Sequence, residues 1–362
     1  MTGPLHGLRV VELAGLGPAP FCAMLLADLG ADVVRVDRPG GSGAVEPKLD
    51  LLNRGKRSIA LDLKDAAGVQ TALRLVERAD VLVEGFRPGV AERLGIGPDE
   101  CLSRRPQLIY GRMTGWGQDG PRAQTAGHDI TYLAVSGVLH TIGRAGGPPQ
   151  IPLNLLGDFG GGALYLAVGI LAALWEARRS GRGQVVDAAI VDGAAHLNTL
   201  VMGLLAGGLW RDERGVNLLD SGAPFYDVYA TADGGYMAVG PLEPQFFAVF
   251  ADRLGLGAQA GAQYDPSAWP SLRAAVAERF AGRTRDEWTA IFADGDGCVA
   301  PVWSLAEAPA DPQLAARLTY VDRDGVVQPA PAPRFSRTVP QLSRPPAEPG
   351  QHTAEILADW LG

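Results

Sequence analysis

Cysteine is nearly absent from this chain. Only Cys22, Cys101 and Cys298 occur, far apart and without C-x-x-C spacing. That excludes a disulfide-stapled scaffold and a zinc ribbon, and predicts inert thiols in a reducing, cytoplasmic setting. No HExxH or Cys/His spacing offers a metal site, so none is expected. Positive charge is in deficit, with 32 Lys and Arg against 40 Asp and Glu, which argues against a nucleic-acid partner. A charged start followed by a long apolar run is missing from MTGPLHGLRVVEL, so no signal peptide is expected, and ADWLG carries no peroxisomal or retention signal. One stretch, FGGGALYLAVGILAALW (159–175), approaches membrane length. Its glycines and the flanking Asp158 and Glu176 predict a helix buried between layers rather than a membrane span. No internal repeat is visible.

What is present fits a soluble enzyme. With 362 residues, 47% of them hydrophobic, the chain is too long for one ordinary core, and two lobes are expected. LRVVEL (8–13), FCAMLLADLG (21–30) and DVVRVD (32–37) read as strand, helix and strand, the seed of a parallel sheet. Further strands are predicted at 58–63, 81–86 and 108–115, with helices at 68–80 and 163–180. GQVVDAAIVDGAAHLNTLVM reads as a strand running into a helix. Residues 1–200 therefore form a large α/β domain. Residues 201–224 read as a linker. A smaller α/β domain over 225–318 starts with a hairpin turning at Asp233-Gly234-Gly235. Residues 319–362 return to the large domain, through a Pro-rich extended tail (323–350) and a short helix.

The segment from Gly127 to Gly162 carries the chemistry. His128 and Asp158 each lie beside a glycine, and the second precedes a glycine run opening the long apolar segment. A base, an acid and free N–H groups at a helix start are the parts needed to remove a proton next to a carbonyl. Asp158 also reads as a plain N-cap, and a lone histidine is often only a hydrogen-bonded structural residue. His140, on SGVLHTIG, reads as packing. Gly15-Leu16-Gly17-Pro18-Ala19-Pro20, with Asp37 beyond, is an incomplete dinucleotide fingerprint and reads better as an ordinary strand-to-helix turn. Asn53-Arg54-Gly55-Lys56-Arg57 is a basic run, and Arg38, Lys64, Arg87 and Arg93 lie near proposed strand ends. A polyphosphate group and a solvated face both explain these cations. Glu243 reads as a turn acid. Glu84 could orient a histidine at a strand end, and Asp192 could be a buried polar partner.

With these residues in place, the chain resembles the α-methylacyl-CoA racemases of the family III CoA-transferase (CaiB-BaiF) superfamily. The resemblance runs essentially end to end, through LRVVELAGLGPAPF, ADVVRVDRPG, LDLK, EGFRPGVAERLG, GRMTGWGQDGPR, GHDITYLAVSGVLHTIGR, PLNLLGDFGGG, GQVVDAAIVDG, GAPFYDVY and GPLEPQF. It implies an α/β fold with a large Rossmann-like lobe, a small lobe and an interlocked homodimer whose active site is shared between subunits. It implies His128 and Asp158 as the proton-transfer pair, with Glu243 reaching in from the partner's small lobe. The positions matching CoA contacts are Arg38, Leu61, Asp62, Leu63, Lys64, Gly85, Phe86, Arg87, Arg93, Gly127, Asp129, Ile130, Thr131 and Tyr132. At Thr131 some relatives carry Asn. The amides of Gly160, Gly161 and Gly162, or those near the Gly127 turn, are the expected donors to an enolate oxygen. The implied activity is racemisation of 2-methylacyl-CoA thioesters in lipid metabolism, with no cofactor beyond the CoA of the substrate. The alternative is CoA transfer between carboxylic acids, with Asp158 as nucleophile.

Overall fold

The computed structural model describes residues 2–41, 45–257, 261 and 263–362. The chain divides into two compact units. The large unit comprises residues 1–136, 152–197 and 316–362. The small unit comprises 137–151 and 198–315.

The large unit is built on six parallel strands. These are β1 (Arg9–Leu13), β2 (Asp32–Asp37), β3 (Arg57–Ala60), β4 (Val81–Glu84), β5 (Ile109–Thr114) and β6 (Gln184–Ala189), in the order β3-β2-β1-β4-β5-β6. That is the doubly wound dinucleotide-fold order, whose ligands bind beyond the carboxyl ends of the strands. The central strands are apolar on both faces because helices cover both. Val10, Val33, Val81 and Ile109 face one core, and Val11, Val34, Leu82 and Tyr110 face the other.

Helix α1 (Pro18–Asp28) starts earlier than FCAMLLADLG predicts. Gly17, at φ 72°, turns the chain in a conformation open to glycine, and Pro18 occupies the first helical position, where a missing N–H costs nothing. The glycine fingerprint is thus the ordinary turn. Short helices α2 (Ala66–Val76), α3 (Val90–Arg93), α4 (Pro98–Arg104) and α5 (Asp129–Val135) follow the next strands. A π-helical segment, Leu155–Ala163, runs directly into α6 (Leu164–Ser180). This helix is long and apolar enough to cross a bilayer. Here Leu166, Ala167, Ile170 and Ala173 are buried in the sheet core, which makes it a layer of the α/β fold. Helix α7 (Ile190–Leu197) closes this part of the unit.

In the small unit, α8 (Thr199–Ala206) leads to the hairpin β7 (Asp227–Ala230) and β8 (Tyr236–Val239). Helices α9 (Pro244–Leu254), α10 (Trp269–Ala281) and α11 (Arg285–Phe292) follow, and β9 (Val299–Pro301) completes a three-stranded antiparallel sheet. An aromatic core of Phe225, Phe247, Phe250, Phe280 and Trp288 holds it together.

Two boundaries differ from the sequence expectation. Residues 201–224 belong to the small unit rather than to a linker. The buried Asn217 orders them, accepting from the Arg211 N–H at 2.7 Å and donating to the carbonyls of Arg211 and Glu213. Residues 137–151 also belong to the small unit, where Arg144 pairs with the buried Asp227. The Pro-rich tail holds a hairpin that the sequence reading missed, β10 (Tyr320–Arg323) and β11 (Val326–Pro329), turned at Asp324-Gly325. The C-terminal helix then packs Ile356 and Trp360 into the large unit.

Candidate active site

The turns after the carboxyl ends of β1, β2, β3, β4 and β5 carry Gly17, Arg38, Leu61 to Lys64, Gly85 to Arg87, and the loop to His128. Parallel strands gather these turns at one end of the sheet. Asp158 sits at the fourth position of the π-helical segment and is half-buried. A Cβ on Gly17 would lie 3.3 Å from its Oδ2, and Phe21 of α1 stacks on Phe159 at 4.5 Å. The β1–α1 turn therefore walls one side of the carboxyl. Asn154 donates to Oδ2 at 3.4 Å. Burial pushes the Asp158 carboxyl above its ordinary value. The Asn154 bond opposes the rise, the Asp129 charge adds to it, and His128 pulls it back. A carboxyl raised this way holds a proton more readily and can act as an acid.

His128 is the exposed N-cap residue of α5. Thr131 holds its backbone from both sides, Oγ1 accepting the His128 N–H at 3.0 Å and donating to its carbonyl at 2.7 Å. Threonine thus supplies the local bond that closes this turn. Tyr132 is buried edge-on against Trp116, at 4.8 Å. Burial and the Asp158 charge raise its phenol, and Arg87 opposes them. Gly127 and Gly115 leave room for that ring, since a Cβ at either would collide with it.

Arg38, Arg87 and Arg93 are exposed and form no ion pair among the described residues. Lys64, Asp62 and Gly85 are exposed as well, whereas Leu61, Leu63 and Phe86 are partly buried against the core beneath. Ile130 is partly exposed.

Several expected roles do not survive. The Asp129 side chain is buried and points at the backbone of Asp158 and Gly157, so it offers no outward contact. Glu84 orients no histidine. It is fully buried, accepts from Arg112 at 2.9 Å and from the Phe86 N–H at 2.6 Å, and so fixes the 85–87 turn. Asp192 is exposed on α7 rather than buried. Gly160 to Gly162 lie inside the π-helical segment, not at a helix start. Their role is close packing, for a Cβ on Gly161 would fall 2.6 Å from the Ala194 nitrogen. The basic run also turns inward. Arg54 pairs with Asp28 at 2.5 Å, Lys56 with Glu12 at 2.6 Å and Arg57 with Asp32 at 2.6 Å. His140 is exposed rather than packed, 3.3 Å from Asp212. Asn154 was missed, although its place one helical turn before Asp158 is a readable signal.

Glu243 belongs to the small unit. It is the N-cap residue of α9, yet its side chain makes no cap bond and is exposed. It neighbours a cavity of about 690 Å³ lined by Tyr226, Val228, Ala238, Gly240 and Cys298. Burial, then the Glu243 charge, pushes the Cys298 thiol up.

Fold and site together define a Rossmann-type α/β protein with a histidine and a half-buried carboxyl near the carboxyl end of its sheet. The chain belongs to CoA-transferase family III, which matches residues 5–353. It is 49% identical to alpha-methylacyl-CoA racemase of Mus musculus over 360 residues, covering 98% of this chain and 93% of the mouse protein. The Homo sapiens protein of the same name is 46% identical, with the same coverage. Among solved structures, a CAIB/BAIF family protein from Brucella suis superposes with a TM-score of 0.86 at 29% identity, over 99% of this chain and all of that one.

Proposed function

We propose that the protein racemises 2-methylacyl-CoA thioesters by proton transfer at the α-carbon. The observation that carries this reading is Asp158, a half-buried carboxyl walled by the Gly17 turn and tied through Asp129 to the helix start that bears His128. In one direction neutral His128 takes the C2 proton, and the C–H electron pair moves onto the thioester oxygen as an enolate. The protonated Asp158 carboxyl then delivers its proton to the opposite face of C2. The products are protonated His128 and ionised Asp158, the starting state for the other enantiomer. Both states carry the same net charge, so both directions share a pH optimum. With Gly160 to Gly162 engaged in packing, backbone N–H groups near the Gly127 turn are the donors to the enolate oxygen. One such donor contributes about 3–4 kcal/mol. Arg38, Lys64, Arg87 and Arg93 hold the phosphates of CoA, and no cofactor beyond that CoA takes part.

We infer further that the working protein is an interlocked homodimer in which Glu243 of the partner subunit completes the site. Leu164, Val168, Leu171 and Trp175 support it, forming one exposed apolar stripe along α6. A cytoplasmic setting is supported by three free thiols.

The test is incubation of one enantiomer of a 2-methylacyl-CoA in D₂O. Deuterium entry at C2 with loss of stereochemistry is expected, and His128→Ala and Asp158→Ala should each lower it by about 10²–10⁴-fold. Exchange surviving both substitutions in the folded protein sinks the assignment. CoA passing to an added carboxylic acid, without exchange, would identify Asp158 as a transferase nucleophile instead.

A further inference from the structure

Asp129 opens α5 and follows His128 directly. Its side chain is only 6% exposed. Oδ2 accepts the Asp158 N–H at 2.6 Å, and the Gly157 N–H also donates to the carboxylate. Oδ1 is buried with no hydrogen-bond partner among the described residues. Gly157 makes the approach possible, since a Cβ there would fall 2.3 Å from Oδ2. The amides that Asp129 takes lie in the first turn of the π-helical segment, where backbone N–H groups lack partners within the helix. One residue is therefore joined through the peptide bond to the first base and through hydrogen bonds to the main chain of the second.

We infer that Asp129 is a positioning residue for the proton transfer, a strut that fixes the separation of His128 and Asp158. The inference rests on the racemase reading of the site. Two bases must reach opposite faces of one α-carbon, and a misplacement of about 1 Å costs on the order of 10²-fold in rate. The Asp129 carboxylate is buried against the main chain of the Asp158 segment, so its loss should act on turnover and leave binding intact. Its charge also lies beside Asp158 and adds to the upward push on that carboxyl.

The experiment compares wild type, Asp129→Ala, Asp129→Asn and Gly157→Ala, with folding checked by circular dichroism. C2 deuterium entry gives kcat, KM and the pH profile for each. Asp129→Ala should lose about 100-fold in kcat while KM stays within about threefold. Asp129→Asn keeps an accepting oxygen and should recover kcat to within about tenfold of wild type. The pH limb belonging to Asp158 should then move to lower pH, because a neighbouring negative charge is gone. Gly157→Ala should reproduce the alanine loss with Asp129 intact, so the idea remains testable if Asp129→Ala does not fold. An unchanged kcat in both Asp129→Ala and Gly157→Ala overturns the strut, as does a raised KM with kcat preserved. Asparagine no better than alanine, with no pH shift, also overturns it. A wild type without exchange overturns the racemase reading and the strut with it. A wild type that exchanges beside unaffected variants overturns the strut alone.

Discussion

Two sets of cations in the large unit look alike in sequence and behave in opposite ways. Arg54, Lys56 and Arg57 are buried, and each is paired with an acid. Arg38, Arg87 and Arg93 are exposed and form no ion pair among the described residues. The difference follows strand direction. The first set leads into β3 at its amino end, whereas the second follows the carboxyl ends of β2 and β4. Only the second lies where a doubly wound sheet receives its ligand. A cluster of positive charge therefore says less about binding than the side of the strand on which it falls.

The comparison can be broken most severely at Lys56. Its ammonium is fully buried, held by Glu12 and by the Pro20 carbonyl at 3.0 Å. Burial pushes Lys56 down and Glu12 up, each countered by the other. Lys56→Met strands a buried carboxyl and should cost about 3–5 kcal/mol in chemical denaturation. A smaller loss would mean that water reaches the pair. Next in size, Arg93→Met and Arg38→Met should each raise KM for acyl-CoA about tenfold, the loss of one charge-assisted contact, with the unfolding midpoint unchanged. A large stability loss there would erase the distinction between the two sets. Weaker again, added salt should raise KM by about threefold between dilute and 0.5 M buffer while leaving the denaturation midpoint nearly fixed, because exposed charges are screened and buried pairs are not. The mildest effect concerns an acid. Asn154→Ala removes a bond that favours ionised Asp158, so that carboxyl should rise further. The protonated form then persists to higher pH, and the corresponding limb of the kcat profile should move up. A limb that moves down would assign it to another group.

The strands of the sheet were readable because each is a short apolar run, and DVVRVD matches β2 residue for residue. His128 and Asp158 stood out as candidates by residue type and glycine neighbours, and only the family resemblance made them a pair. What escaped depended on contacts far apart in the chain. Glu84 meets Arg112 because β4 and β5 pair at those positions, a register no local pattern announces. The glycine run read as a helix opening, since glycine weakens helices. Here α7 packs so closely that a side chain would not fit, which outweighs propensity. The tail hairpin was masked by its prolines, which lie outside the Asp322-Asp324-Gly325 turn.

The large unit also has a consequence in time. Arg57 is neutralised by Asp32, which precedes it, but also by Glu355 and Asp359 nearly at the other end of the chain. Trp360 donates to the same Asp32 at 2.9 Å and lies under Arg9. At about 5–20 residues per second, a ribosome leaves some tens of seconds between the first strands and this last seal. Through that interval the growing sheet holds an incompletely neutralised arginine and an apolar slot awaiting its tryptophan. An unsealed sheet of this kind exposes apolar surface, and docking of the segment that carries Glu355, Asp359 and Trp360 removes it.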